Sequence, residues 1–372
     1  MIPVLYDPFD LNAGNLPQHL GKGLLTKTTE CIVTMDEGYA FDLSMKIPIL
    51  AGDSLVPKIF DMIKVDCGMD NPQYFEIQSI DKNTNGRERD YYAWHISRRA
   101  AFEVVNVIPE IEIGFGHISP EGGANIIKAS LNRPTKFQIH CEITESTMKT
   151  DYPYFSNLKP APLFTVLTEY ANMLGARLEF DNYDIYIKPK IDHYHKIRVT
   201  SRRNLLELAD GIDGVEAITG YAPYWTSKQN GVEKVEEYGY HDLSGNIVPY
   251  NRYVPYDLRA RFPGQADDYQ PDYVIVETMI ERVLGETVSD TVRTMNLNYH
   301  EIQGQKIRLY DAIDIYCPEI EIDESRPVVK VVYDVLRERN EGITVGTLQP
   351  NLTKLVSASS NPREIGSKRK IN

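Results

Sequence analysis

Along most of this chain apolar and polar residues alternate with a period of two, and runs with a helical period are few. Residues 29–34 (Thr-Glu-Cys-Ile-Val-Thr) and 39–48 (Tyr-Ala-Phe-Asp-Leu-Ser-Met-Lys-Ile-Pro) flank Asp36-Glu37-Gly38. They predict a hairpin that Pro48 ends, because side chains two apart share one face of a strand and can meet one core. Met62–Val65, Tyr74–Ile80 and Asp90–Ile96 repeat the pattern, with a polar turn at Asp81–Gly86. Several short strands with polar turns and no long helix predict a small antiparallel barrel or sandwich.

The texture changes between 104 and 200. Ile126, Ile127 and Leu131 give a partial apolar face and predict a helix over Ala124–Leu131, followed by a strand over Thr135–Glu142. After a polar loop (145–161), residues 162–174 (Pro-Leu-Phe-Thr-Val-Leu-Thr-Glu-Tyr-Ala-Asn-Met-Leu) have helical period, with Gly175 where a C-terminal cap belongs. Residues 177–188 then read as a tight hairpin turning at Asp181 and Asn182, whose side chains bond local backbone and tolerate left-handed conformations. Strands return over 196–225. Residues 226–270 are polar and rich in Tyr, Pro, Gly and Asn, and predict an irregular insertion with hairpins. Pro271 suits a helix N-terminus, and Val274, Ile275, Met279, Ile280, Val283 and Leu284 form the stripe of a helix over 271–288. Strands follow at 292–299, 307–309, 312–316, 328–333 and 343–345. The Ser-, Asn-, Lys- and Arg-rich end reads as a frayed tail or docking peptide in which Lys368–Lys370 is basic. Residues 75–95 and 327–345 both run strand, polar turn, strand, a faint internal repeat.

At 372 residues the chain is long enough for two or three domains of about 150 residues. Tyrosine (24) outnumbers phenylalanine (11) and tryptophan (2), which suits strands and interfaces. The net charge of −13 and the lack of a basic stripe argue against a protein that grips phosphates. Cys31, Cys67, Cys141 and Cys317 have no CxxC spacing and predict reduced, buried thiols rather than a zinc or redox site. The N-terminus lacks the pattern of a signal peptide, and no run has the roughly 20 apolar residues of a membrane span.

The helix 162–174, Gly175 and the segment Leu178-Glu-Phe-Asp-Asn-Tyr-Asp-Ile-Tyr-Ile187 resemble the phage tail hub proteins of the prophage endopeptidase tail (tail-associated lysin, Tal-like) family. Gln73-Tyr-Phe-Glu-Ile77 with His95-Ile-Ser97 looks like the first barrel of that family. Asn204-Leu-Leu206 with Ile218-Thr-Gly-Tyr-Ala-Pro-Tyr224 looks like its re-entry into a second barrel, with Arg203 and Thr219-Gly220 departing from the family pattern. Val331-Val-Tyr-Asp-Val-Leu-Arg-Glu-Arg339 with Val345-Gly346 looks like the closing strands. The resemblance covers nearly the whole chain. It implies a β-rich α+β, multidomain fold with two small antiparallel β-barrel domains of tail-tube type. The division it suggests is a first barrel over 1–103, an α+β domain over 104–200, a second barrel over 201–235 and 290–355, an inserted α+β region over 236–289, and a tail over 356–372. It further implies a homotrimeric structural hub at the tail tip of a siphophage virion, assembled in the bacterial cytoplasm. Such a hub caps the tail tube, adapts sixfold to threefold symmetry, and surrounds or closes the channel through which DNA passes unbound. Expected partners are the distal tail protein ring, the C-terminus of the tape measure protein, and tip, fibre or receptor-binding proteins.

No catalytic, cofactor-binding or metal residues are expected, and no cofactor. The His-Glu-x-x-His string that places two imidazoles on zinc is absent. His193-Tyr-His195 supplies half of another metallopeptidase pattern, but the residues four after His19, His95, His117 and His140 are Gly23, Arg99, Glu121 and Thr144, none of them Asp. His140-Cys141, on a strand, point to opposite faces and cannot form a thiolate–imidazole pair. Glu142 and Glu145 carry no signal as a glycosidase pair among 53 acidic residues. Gly114-Phe-Gly116 and Gly122-Gly123 lack the Gly-Lys-Ser/Thr ending of a phosphate loop and read as turns. In the resembling family lytic activity lies in a C-terminal extension, expected to be absent from a chain ending at Asn372. The alternatives are a peptidoglycan-degrading tail endopeptidase, or a baseplate module that binds host-surface carbohydrate through the Tyr-rich 226–270.

Overall fold

The computed structural model describes residues 2–8, 21–49, 55–83, 87–148, 154–190, 197–201, 203–213, 219–243, 251–261, 268–286, 292–299 and 307–346. The chain opens with β1 (Val4–Tyr6), β2 (Gly23–Leu24), β3 (Glu30–Asp36), β4 (Phe41–Pro48), β5 (Met62–Val65), β6 (Gln73–Asn83) and β7 (Glu88–His95). Alternation works here as the pattern predicts. On β4 the side chains of Phe41, Leu43, Met45 and Ile47 are buried and those between them face outward. Each buried large side chain is worth about 1.5–3 kcal/mol.

The middle region contains β8 (Val104–Val105), β9 (Ile108–Glu112), α1 (Pro120–Ala129), β10 (Gln138–Cys141), β11 (Tyr154–Asn157), β12 (Ala161–Pro162), α2 (Leu163–Met173), β13 (Ala176–Asp181) and β14 (Asp184–Pro189). The helix α1 starts four residues before the sequence expectation because Ser119 caps it. Its Oγ accepts from Gly122 N–H at 3.0 Å and Pro120 takes the first turn. α2 buries Leu163, Val166, Leu167, Tyr170 and Ala171, and Gly175 beyond its end has φ 67°. The Tyr170 hydroxyl donates to Pro120 O at 2.6 Å and so ties α2 to α1. A Cβ at Gly123 would collide with that hydroxyl. The β13–β14 hairpin adds to β10, which runs parallel to β14.

The last part holds β15 (Ile197–Thr200), β16 (Leu205–Asp213), β17 (Gly220–Gln229), β18 (Val232–Glu237), β19 (His241–Asp242), β20 (Tyr253–Asp257), α3 (Leu258–Arg261), α4 (Tyr273–Glu286), β21 (Val292–Tyr299), β22 (Ala312–Cys317), β23 (Ile322–Asp334) and β24 (Arg339–Gly346). β17 pairs with β18, β19 and β20 in a four-stranded sheet of its own. Trp225 and Leu258 pack there with Val276, Met279, Ile280 and Val283 of α4 in a core separate from the main one. The stretch expected as an irregular insertion with hairpins thus contains the β17–β18 hairpin and, among its described residues, contributes strands to this sheet. α4 begins at Tyr273, two residues past Pro271, which stands before the helix rather than in its first turn.

The fold is β-rich α+β and multidomain. Neither half closes into the expected barrel among the described residues. Both belong to one thirteen-stranded sheet, because β23 is long enough to pair with two sets of strands. Its first half, Ile322–Pro327, pairs with β22, and its second half lies between β24 and β3.

The faint repeat proves to be one of six-stranded units. The first runs β3-β4-β7-β6-β5-β1 and the second β16-β21-β24-β23-β22-β15, the same order in space and in sequence. β6 and β23 each carry a bulge before the same step of the ladder, between Ile77 and Ser79 and between Val328 and Lys330. The turns that lead into β5 and β22 match bond for bond. Phe60 N–H donates to Ile77 O and Tyr310 N–H to Val328 O, both at 2.9 Å. Lys58 N–H donates to Asp61 Oδ2 at 2.8 Å and Arg308 N–H to Asp311 Oδ2 at 2.7 Å. Phe60 and Tyr310 both adopt left-handed backbones, φ 69° and 72°. The underlying residues are Lys58-Ile-Phe-Asp-Met-Ile-Lys-Val65 and Arg308-Leu-Tyr-Asp-Ala-Ile-Asp-Ile315, a clearer repeat than the hairpins themselves. The units differ at their ends, where β1 joins β5 antiparallel and β15 joins β22 parallel.

Candidate functional site

The β13–β14 hairpin meets both units. Asp181 pairs with Asp184, so the two loop residues are Asn182 and Tyr183, one position later than the sequence suggests. Asn182 alone of these has positive φ, 54°. Its side chain enters the first unit. Oδ1 accepts from Tyr74 N–H at 3.1 Å, and Nδ2 donates to Pro72 O at 3.1 Å. Its backbone N–H donates to Gln73 Oε1 at 3.0 Å. Gln73 Nε2 in turn donates to Asp181 Oδ1 at 2.8 Å and to Asn71 O at 2.7 Å.

His95 completes this buried network, a polar latch between the hairpin and the first unit. Its Nδ1 accepts from Ser97 N–H at 3.3 Å, so Nε2 carries the proton and donates to Gln73 Oε1 at 3.0 Å. The ring stacks on Phe41 with centroids 4.0 Å apart. Burial, with Arg98 nearby, pushes its pKa down to about 3 and keeps it neutral. Buried polar groups linked in this way specify one docking geometry, since any other leaves them unpaired.

Beside the latch lies a cavity of about 270 Å³ whose walls come from three places: Tyr39 and Phe41 of the first unit, Phe180 of the hairpin, and Tyr310 and Tyr333 of the second unit. Arg177 places its guanidinium 4.2 Å over the Tyr310 ring and donates to Pro189 O at 2.6 Å. Tyr39 Oη accepts from Leu178 N–H at 3.4 Å. At the rim Arg308 pairs with Asp70 at 2.6 Å. Burial raises the pKa of Tyr39 and Tyr310 and pushes the Cys67 thiol up to about 12. These groups are held neutral, the opposite of an activated nucleophile. The geometry is that of a rigid three-way joint.

Apart from His95, which sits in the network, and Cys67, none of the described residues considered for chemistry lines this cavity. His140 is on β10 with its Nε2 2.7 Å from Asp184 Oδ1 and its ring stacked on Tyr186. Cys141 Sγ approaches Ile143 O instead, and burial pushes its pKa up to about 11. Glu142 lies 3.8 Å from Lys188. His117 pairs with Glu112 at 3.3 Å across the turn that holds Gly114 and Gly116. Gly122 and Gly123 are in α1. His19, His193, His195 and Ile218 lie outside the described residues, as does the tail over 356–372. Among the described residues no three or more His, Cys, Asp or Glu side chains cluster as metal ligands, and no cysteine is in a disulfide. No described helix is long and apolar enough to cross a membrane.

This architecture is one seen in phage tail proteins. A prophage tail protein, gp18, from Listeria monocytogenes superposes with a TM-score of 0.60 at 13% identity, over 96% of this chain and 98% of that one. The 43 kDa tail protein of prophage MuSo2 from Shewanella oneidensis gives 0.59 at 10% identity, over 95% and 99%. A tail protein from Neisseria meningitidis gives 0.55 at 10% identity, over 86% and 92%. At these identities the likeness is one of fold. No protein-family model and no curated protein matches the sequence.

Proposed function

We propose that this chain is a structural protein of a phage tail tip, a hub of which three copies form a ring around the DNA channel. The observation that carries this reading is the repeated six-stranded unit. A chain with two like units offers a threefold assembly six quasi-equivalent positions, which matches a sixfold tube to a threefold tip. The likeness in fold to whole phage tail proteins supports it. The three-way joint ties the middle region to both units, as a ring under mechanical load requires. The net charge of −13 suits a lumen that DNA traverses without counterion-releasing contacts. In this reading the chain works without catalysis, and the distal tail ring, tape measure protein and tip or fibre proteins are its neighbours in the virion.

Light scattering of the full chain across a dilution series tests the ring. A mass near three times 42.4 kDa is expected. A monomer at every concentration overturns it. A zymogram on bacterial cell walls is expected to stay uncleared, and clearing by the pure chain would restore the endopeptidase reading. A second reading rests on Tyr240, which is exposed with its ring 4.9 Å from that of Tyr253, whose hydroxyl donates to Asp242. An aromatic pair with one exposed ring, beside a carboxylate, can stack on a sugar and bond its hydroxyls. Binding to a glycan array that Tyr240→Ala abolishes would favour it.

A further inference from the structure

Among the described residues the sheets of the two units join through one strand pair. Lys330, Val331, Val332, Tyr333 and Asp334 of β23 pair antiparallel with Asp36, Met35, Thr34, Val33 and Ile32 of β3. Matching bulges and turn bonds make Val328 the counterpart of Ile77, so Lys330–Asp334 correspond to Ser79–Asn83 of β6. The β7·β4·β3 and β24·β21·β16 ladders carry the match outward. Val345 pairs with Met295 as Ala93 pairs with Leu43, and Met295 pairs with Asp210 as Leu43 pairs with Val33. Asp210 of β16 is therefore the counterpart of Val33 of β3.

Each unit thus has the two strand edges that make the joint, yet among the described residues only one of each is paired in this way. Beyond Ile77, no described strand pairs with the edge of β6 that faces away from β7. No described strand pairs with the edge of β16 that faces away from β21. β16 is nine residues long and exposes Leu206, the kind of edge that natural proteins cover or pair.

We propose that these two edges pair between copies, β6 of one chain with β16 of the next, in the register of the internal joint. The inference rests on the ring reading and specifies its interface. Transfer of the register places Ser79 opposite Asp213, Ile80 opposite Ile212, Asp81 opposite Gly211, Lys82 opposite Asp210 and Asn83 opposite Ala209. Where the internal joint has Tyr333 opposite Val33, the joint between chains has the exposed Lys82 opposite the exposed Asp210, an attractive cross-strand pair. The contact is heterologous, since each copy gives one edge and receives the other, and such contacts generate rings.

Cysteine crosslinking tests it. Directly opposed residues of an antiparallel pair bring their Cβ atoms to about 4.5–5.5 Å, close enough for a disulfide after a small adjustment. Full-length Lys82→Cys and Asp210→Cys, mixed and mildly oxidised, are expected to give a covalent dimer that neither gives alone. The double variant is expected to give a covalent trimer on a non-reducing denaturing gel. Light scattering of the same samples separates the outcomes. Oligomers whose mixture yields no covalent dimer overturn this joint and leave the ring standing. Monomers at every concentration overturn the ring and the joint together. The charge swap offers a second measurement on fully folded protein. Lys82→Glu and Asp210→Lys are each expected to weaken assembly severalfold and their combination to restore it; no recovery in the combination would also overturn the pairing.

Discussion

Replacing Asn182 by alanine removes two hydrogen bonds that enter the first unit, from Tyr74 N–H and to Pro72 O, both at 3.1 Å. Tyr74 is buried, so its N–H loses the Asn182 oxygen where water does not readily replace it, a loss of about 1–3 kcal/mol. The carbonyl of Pro72 is half-buried and regains part of its bond from water, which puts its loss at about 1 kcal/mol. Alanine must also adopt φ 54°, at a cost of about 1 kcal/mol over the conformation it prefers. The sum is about 3–5 kcal/mol for Asn182→Ala. For Asn182→Gly it is about 1 kcal/mol less, because glycine takes positive φ freely. Urea unfolding of the purified chain measures the difference. Hydrogen–deuterium exchange at residues 73–75 and 178–185 reports the joint apart from the rest. Both variants should exchange faster there than the wild type, and alanine faster than glycine. A loss below about 0.5 kcal/mol for Asn182→Ala, with unchanged exchange at Tyr74, would refute the view that this tip holds the middle region to the first unit.

Burial pushes the pKa of Glu169 up to about 8, so the folded chain favours its neutral form. Above the unfolded carboxylate pKa and up to about 8 the native state holds a proton the unfolded state has lost. Stability from this group therefore falls as pH rises, by at most about 1.4 kcal/mol per unit, and Glu169→Gln should melt higher than wild type at pH 8 but not at pH 4. His95 acts on the acid side. Its lowered pKa means that stability is lost as pH falls from its unfolded value near 6.5 toward about 3, and His95→Gln should flatten that limb in melts at pH 4–6. Because Asp61 and Asp311 cap equivalent turns, alanine at either should cost about 1–2 kcal/mol in thermal melts. An effect at only one of the two positions would contradict the equivalence of the units.

By itself the sequence determined the local elements. The two-residue alternation of 41–48, the helical period of 163–173 stopped at Gly175, and the hairpin of 176–189 follow from contacts between neighbours in the chain, and neighbours are what a pattern encodes. It also carried the repeat, more plainly in 58–65 and 308–315 than in the hairpins, since a shared turn needs the same Asp and the same apolar steps. Only the tertiary structure decided how the units join. β3 meets β23 through backbone N–H and C=O groups, which every residue except proline carries alike, so no side-chain pattern marks residues 32–36 and 330–334 as partners. The polar latch was equally hidden. Gln73, His95 and Asn182 are ordinary polar residues in the chain, and they become a buried network only when the fold removes water from all three at once.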